Sequence, residues 1–217
     1  LLLNKVNEIQ KENIVQITPL KNPDGLTIAK LIKCLDEHFS FKYHDFGGAK
    51  LPVLAFYAIY KQLIQELKRY ESSTLNKLGS HTASDRTSKT AGDIEIFKGE
   101  DLFEAIEIKD KEIDVNVVLI AIEKIERYNP TRYYILTHKR IKLSDEDAID
   151  SYVKDVKAKH GCQIIINGVL PTIKYYLRLI YSIEEFCFEY SKLVEEDIEL
   201  KKVHKVKWND IIKEKLN

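Results

Sequence analysis

Apolar residues recur at helical spacing in some stretches of the chain and alternate with polar residues in others. Helical spacing predicts helices over 26–39, from Pro52 to about Tyr70, from Asp114 onwards, from Ser144 to Gly161, and from Pro171 to about Glu196. Alternation and β-forming residues predict strands over 93–97, 102–109, 132–138 and 162–166. The polar, hydroxyl-rich stretch 71–91 predicts a long loop, and the charged tail 197–217 is predicted to be helical.

The order of these elements predicts the fold class. A hairpin is followed by alternating helices and strands, which is typical of an α/β protein with a mixed central sheet. Further helices are expected at both ends. We therefore expect an N-terminal helical segment over 1–50, a core over 51–168, and a C-terminal helical extension over 169–217 that packs on the core.

Composition narrows the class of protein. Among the 217 residues, 34 are Lys or Arg and 34 are Asp or Glu, so any binding to nucleic acid needs a local basic patch. The three cysteines form no CxxC pair, which favours reduced thiols in a cytoplasmic protein over a zinc framework. No apolar run approaches the roughly 18 residues that a membrane span needs. The absence of Met favours a fragment or a trimmed chain, with missing Met-derived residues as the alternative.

The most informative chemistry lies on the predicted hairpin. A period of two puts Glu107 and Lys109 on the same face of one strand, and Asp93 on the neighbouring strand can lie beside Glu107. Carboxylate oxygens suit Mg²⁺, which polarises a phosphoryl oxygen and lowers the pKa of a bound water. A lysine beside them can orient or deprotonate that water and offset developing negative charge.

At these residues the chain resembles the PD-(D/E)xK nuclease superfamily. The segment Gly92-Asp93-Ile94 followed by Glu107-Ile108-Lys109 matches its motif, except that Gly92 stands where the pattern has Pro. The resemblance covers roughly residues 51–168, which would then be the nuclease core, and implies the restriction-endonuclease-like αβββαβ fold.

Several runs are similar to type II restriction endonucleases of the SacI type. They span residues 49–55, 81–85, 92–94, 103–109 and 132–136. The resemblance implies Mg²⁺-dependent double-stranded DNA cleavage at a short specific site, with Mn²⁺ as a substitute, usually by a homodimer. It implies metal ligands at Asp93, Glu107 and the backbone carbonyl of Ile108, with Lys109 positioning the attacking water.

Each candidate has a simpler interpretation. Asp93, Glu107 and Lys109 fit the solvated face of a hairpin as well. Glu95 is two residues from Asp93, so it lies on the same strand face and is either a supporting group or exposed. Glu104 is three residues from Glu107, so it lies on the opposite face. Glu66 is a candidate for a water-mediated metal contact, and the alternative is a solvated helix face that it shares with Gln62.

Contacts to DNA are expected from polar and basic residues outside the hairpin. The candidates are Ser84, Arg86, Thr87, Ser88, Lys89, His138, Lys139 and Arg140. A mobile loop or a solvated connection explains them equally. The basic run 201–208 fits phosphate contacts or a charged tail. The apolar helix over 171–194 is our candidate dimer interface, with the N-terminal helices as alternatives.

Three functions remain open at this point. The first is a Mg²⁺-dependent, sequence-specific DNA endonuclease. The second keeps the chemistry but changes the substrate, as in a repair or junction-resolving nuclease. The third is a non-catalytic DNA- or protein-binding module on the same fold. The intact set of Asp93, Glu107 and Lys109 favours catalysis.

Overall fold

A computed structural model describes residues 14–44, 47–78 and 90–217. The chain divides into two compact units, one from the described parts of Leu1–Gln62 with Ile173–Asn217, the other from those of Leu63–Thr172. The second unit contains the whole sheet. The three segments expected from the sequence, 1–50, 51–168 and 169–217, stay a prediction beside this division.

The sheet has five strands in the order β1-β2-β3-β4-β5. These strands are β1 (Ser73–Leu75), β2 (Ile94–Lys98), β3 (Asp101–Lys109), β4 (Arg132–Thr137) and β5 (Gln163–Gly168). β1, β2 and β3 pair antiparallel, while β3, β4 and β5 pair parallel. The expected mixed α/β class is confirmed. The expectation of a loop throughout 71–91 is wrong at β1, a strand too short to show a period.

Two helices connect the parallel strands. α3 (Val115–Tyr128) follows β3, and α4 (Glu146–His160) follows β4. Both pack on the sheet face that bears Ala105, Tyr133 and Ile135, in one apolar cluster. Because alternate strand residues face opposite sides, the register Glu107↔Ile135 puts Glu107 on this helix-covered face.

Local signals set the ends of these helices. The side chain of Asp114 accepts a hydrogen bond from Val117 N at 2.9 Å, which confirms the expected start of α3. Gly161 ends α4 in the left-handed conformation at φ 70°. Ser144, where this helix is predicted to begin, does not cap it, since Leu143–Asp145 form a 3₁₀ turn and Ser144 Oγ donates to Asp145 Oδ1. Asp145 instead accepts from Val115 N, which ties the two helix starts together.

The first unit is built from helices. They are α1 (Ile28–Ser40), most of α2 (Lys50–Glu66), most of α5 (Val169–Tyr176), α6 (Ile183–Glu196) and α7 (Lys202–Ile211), followed by a π turn over Ile212–Leu216. The single helix expected from Pro171 to Glu196 is wrong, because one helix ends at Tyr176 and the next begins after Ser182. The side chain of Ser182 caps this second helix by accepting a hydrogen bond from Glu185 N. The helical tail is confirmed.

Two buried polar side chains of the first unit, His38 and Gln62, are hydrogen-bonded on both sides. The imidazole of His38 donates from Nε2 to the carbonyl of His204 and accepts at Nδ1 from the hydroxyl of Tyr190. Burial lowers the pKa of His38 to about 3, so the ring is neutral and holds this tautomer. Gln62 is also buried, and with its amide turned to suit its neighbours it bonds Ser182 O and Phe186 N. The alternative of a solvated helix face is therefore wrong for Gln62.

None of the helices in the described part of the chain is long and apolar enough to cross a membrane.

A buried ion cluster lies on the sheet face opposite the α3 side. Glu104 is fully buried in β3, and its carboxylate pairs with the guanidinium of Arg69. It also accepts from the hydroxyl of Tyr70 at 3.0 Å and from Arg132 at 3.5 Å. This arrangement agrees with the expectation that Glu104 faces away from Glu107. The cluster joins the start of β3 to β4 and to the segment before β1.

Glu104→Gln should lower the free energy of unfolding by about 1–3 kcal/mol, because the amide loses charge-assisted bonds in a buried place. Glu100→Gln, at the exposed hairpin turn, is the matched control and should change it little. Urea unfolding measures both variants. Equal stabilities for the two variants would contradict a structural role for this cluster.

Candidate active site

Asp93 and Glu107 lie side by side on neighbouring strands. Asp93 immediately precedes β2, and the register Ile94↔Ile106 continues to set Asp93 opposite Glu107. The carboxylate of Asp93 accepts from Ile108 N at 2.7 Å, and its own N–H donates to Ile106 O at 2.8 Å. These two bonds fix the backbone and the side chain of Asp93 against β3.

Glu107 is held by two ammonium groups. Lys109 Nζ donates to its Oε1 at 2.7 Å, and Lys124 Nζ donates to its Oε2 at 2.8 Å. Glu107 is only 5% exposed, so the solvated-face interpretation is wrong for this residue. Two carboxylates and two ammoniums thus lie in one cluster, and their formal charges cancel.

Lys124 is a member of this cluster that the motif does not predict. It lies on α3, is 9% exposed, and points from the helix onto the sheet face that bears Glu107. A signal for it existed in the sequence, because Val117, Ala121 and Lys124 follow helical spacing along the apolar stripe. A charged residue on such a stripe requires a buried partner.

Both backbone polar groups of Ala91, just before the motif, are bonded to side chains. Glu95 Oε1 accepts from Ala91 N at 2.7 Å, and the hydroxyl of Tyr133 donates to Ala91 O at 2.7 Å. Glu95 also accepts from the amide of Asn76 at 2.8 Å. Glu95 is buried, so the exposed alternative for it is wrong. It supports the segment that leads to Asp93.

The backbone of Gly92 packs directly against the backbone of β3. A Cβ at this position would lie 2.6 Å from the carbonyl oxygen of Ile106, which is closer than real Cβ atoms approach. The close approach brings Asp93 N within hydrogen-bonding distance of the same carbonyl. Glycine is therefore required by the packing of backbone against backbone.

The two carboxylates repel one another, and Glu107 is buried while Asp93 is half-buried. Burial, and then the charge of Glu107, raise the pKa of Asp93 to about 7, although the Ile108 N–H and the two lysines act against the rise. A positive charge delivered to this pair would relieve the repulsion. The cluster is thus suited to a cation.

The remaining sequence candidates lie in different places. Glu66 is exposed at the end of α2. His138 and Lys139 directly follow β4. They lie at the carboxyl ends of the parallel strands, where β3 ends with Lys109, and Lys139 N donates to Thr137 Oγ1 at 2.9 Å. The loop candidates Ser84, Arg86, Thr87, Ser88 and Lys89 lie outside the described residues. In the basic run 201–208, His204, Lys205 and Trp208 are buried, so these three belong to the interior of their unit.

The pH dependence of stability should report the pKa of Asp93. In the folded chain the Asp93 carboxyl keeps its proton up to about pH 7, whereas in the unfolded chain it loses the proton near the ordinary pKa of an aspartic acid. Between these two pKa values folding takes up a proton, so the stability of wild type falls as the pH rises. Asp93→Asn removes this titration. Its unfolding free energy relative to wild type should therefore rise from about pH 4 to about pH 7 and level off above.

Urea unfolding without divalent cations measures this difference across the pH range. Asp101→Asn, at an exposed position on the same hairpin, controls for the loss of one carboxylate. A difference between Asp93→Asn and wild type that does not change with pH would show that Asp93 is not desolvated as described.

No curated protein matches the chain. The family model described as the SacI restriction endonuclease C-terminal domain matches residues 29–137, which is half of the chain. The matched residues include Asp93, Glu107, Lys109 and Lys124. The chain therefore belongs to the family of the SacI restriction endonuclease C-terminal domain, as its resemblance to SacI-type type II enzymes predicts.

Proposed function

We propose that this protein is a Mg²⁺-dependent, sequence-specific double-stranded DNA endonuclease of type II that hydrolyses phosphodiester bonds. Membership of a restriction endonuclease family supports a nuclease that acts on DNA. The observation that supports catalysis most directly is the Asp93–Glu107 pair with the ammonium of Lys109 on Glu107. An active site of this composition suits phosphoryl chemistry.

We infer that the core is the αβββαβ arrangement of restriction endonucleases. The observed order of α2, then β1 to β3, then α3 and β4, is compatible with it. In this arrangement the candidate residues come from the start of β2 and the end of β3.

The donor set suits a hard cation. Asp93 and Glu107 supply carboxylate oxygens and Ile108 supplies a backbone carbonyl, and Mg²⁺ prefers oxygen ligands of this kind. Among the described residues no group of three His, Cys, Asp or Glu side chains could hold a metal ion, so water and substrate oxygens would complete the ligand shell. A bound Mg²⁺ or Mn²⁺ would supply positive charge to the phosphate and acidify the attacking water.

Lys109 acts on the attacking water in this proposal. Its side chain is 14% exposed, and its ammonium lies 2.7 Å from Glu107 Oε1 and so stays beside the carboxylates. There it orients the water and offsets negative charge as the water attacks phosphorus and the P–O bond to the leaving group breaks. Little of this interaction exists before the reaction begins, so Lys109 contributes mainly to the rate.

DNA contacts and assembly are further parts of the proposal. His138 and Lys139 come next to the β3 end and suit phosphate or base contacts, as do Ser84, Arg86, Ser88 and Lys89. A homodimer would cut both strands of a symmetric site. Exposed Tyr181 and Phe188 offer apolar surface for such a dimer near the region expected from the sequence.

Divalent cations should be required for cleavage. Mg²⁺ or Mn²⁺ should support double-strand cuts in plasmid DNA, and excess EDTA should abolish them, because the proposed ligands are carboxylate oxygens. Mapping of the fragment ends tests specificity: discrete fragments are expected for a restriction enzyme. Undiminished cleavage in excess EDTA would rule out the metal-site assignment, and nicks confined to branched DNA would favour a repair nuclease.

Lys109→Ala should lower the rate of cleavage by about two to four orders of magnitude and weaken DNA binding only modestly. The physical reason is that its charge acts mainly in the transition state. Single-turnover cleavage and a DNA-binding titration measure the two effects separately. Lys111→Ala, two residues further along, is the control for removing one nearby cation. A folded Lys109→Ala variant that cuts at the wild-type rate would show that the active-site assignment is wrong.

A further inference from the structure

Both oxygens of one buried carboxylate are bonded to ammonium groups. Lys109, from the same strand, reaches Glu107 Oε1, and Lys124, from α3, reaches Glu107 Oε2 at 2.8 Å. Lys109 has a role in the proposed reaction, whereas nothing so far accounts for Lys124. Beside Glu107 and Lys109, the surroundings of Lys124 are apolar at Val117, Ala121 and Ile135. The hydroxyl of Tyr133 also lies there and donates to Glu107 Oε2 at 3.3 Å.

The charge of Lys124 acts on both candidate metal ligands. It is bonded to Glu107, and it also attracts the Asp93 carboxylate opposite. In a buried place such an ammonium is screened only weakly by water. It must therefore compete with any other cation that approaches the pair.

We propose that Lys124 is a positioning residue that holds Glu107 through Oε2 and sets how strongly the Asp93–Glu107 pair binds a divalent cation. This inference rests on the proposed function only in taking these two carboxylates as the cation ligands. With both lysines the cluster has no net formal charge, so the pair binds a divalent cation weakly until substrate phosphates add negative charge. Without Lys124 the cluster carries one net negative charge.

The direction in which metal affinity changes on loss of Lys124 distinguishes this role from that of an ordinary supporting hydrogen bond. Loss of a partner that merely orients a metal ligand weakens metal binding, by about 10–100-fold in typical cases. Loss of Lys124 should strengthen it, mainly because the ammonium no longer competes with the divalent cation for Glu107 Oε2 and no longer offsets the charge of this carboxylate. The rate of cleavage should nevertheless fall, because Glu107 Oε2 then keeps only the longer bond from the Tyr133 hydroxyl, at 3.3 Å.

The test is Mn²⁺ binding by the full chain without DNA, measured by electron paramagnetic resonance of the free ion. Lys124→Met removes the charge and keeps the apolar stem, and it should bind Mn²⁺ about threefold to tenfold more tightly than wild type. Lys124→Arg keeps the charge and should stay near wild type. Arg127→Met removes an exposed cation from the same helix and should have no effect.

The effect should depend on Glu107. In a Glu107→Gln background, Lys124→Met should change Mn²⁺ affinity much less than it does in wild type. If Lys124→Met changed Mn²⁺ affinity by the same factor in wild type and in Glu107→Gln, the assignment of Lys124 to Glu107 would be overturned. If Lys124→Met does not fold, Lys124→Gln removes the charge but keeps a hydrogen-bond donor, and the same gain is expected of it. Unchanged or weaker Mn²⁺ affinity in the folded neutral variant, or no measurable binding by either protein, would overturn the proposal.

Kinetics separate this inference from the proposed function. Lys124→Met should lower kcat by about tenfold or more and leave KM for DNA nearly unchanged, and Lys124→Arg should recover part of the loss. If wild type never cleaves DNA but Lys124→Met binds Mn²⁺ more tightly, the proposed function fails and the role of Lys124 stands. If wild type cleaves and the two proteins bind Mn²⁺ equally, only the role of Lys124 fails.

Discussion

The burial of Glu107 in the middle of a parallel strand pair is the constraint on which the site depends. A carboxylate with 5% exposure needs bonded positive groups, because burial of an unpaired charge costs several kcal/mol. β3 supplies one such group two residues away, at Lys109. The other must come from whatever covers that face of the sheet, which is α3, and Lys124 is placed on its inner side. The position of α3 and the chemistry of the site are thus fixed together.

The sequence predicted the elements whose signals are local. The alternation along 93–109, the Asp114 cap and Gly161 are each read within a few residues, and each is found in the structure. Sequence spacing also suggested that Asp93 and Glu107 are neighbours, because a hairpin leaves few registers open. The break between Tyr176 and Ser182 was missed, since apolar residues continue at helical spacing through it.

What the sequence did not predict depends on contacts between distant segments. β1 has three residues and is defined by its pairing with β2 rather than by any period. Glu95 and Tyr133 support the site by bonding the peptide of Ala91, which no side-chain motif encodes. Burial of Glu107 likewise follows from the packing of α3 and α4 and not from the alternation of β3. The odd spacing of Glu104 and Glu107 along one strand was by itself enough to predict correctly that these two carboxylates lie on opposite faces of the sheet.

The chain differs at Gly92 from the nuclease motif that it resembles, and the structure gives a physical explanation for this difference. The segment before Asp93 runs so close to β3 that any Cβ at position 92 would meet the carbonyl of Ile106 at 2.6 Å. Proline carries a Cβ and would be excluded with every other residue. The close approach lets Asp93 use its N–H on Ile106 and its carboxylate on Ile108 N, so both ends of the residue are tied to β3. The glycine therefore secures the carboxylate that the motif requires by bringing the two backbones together.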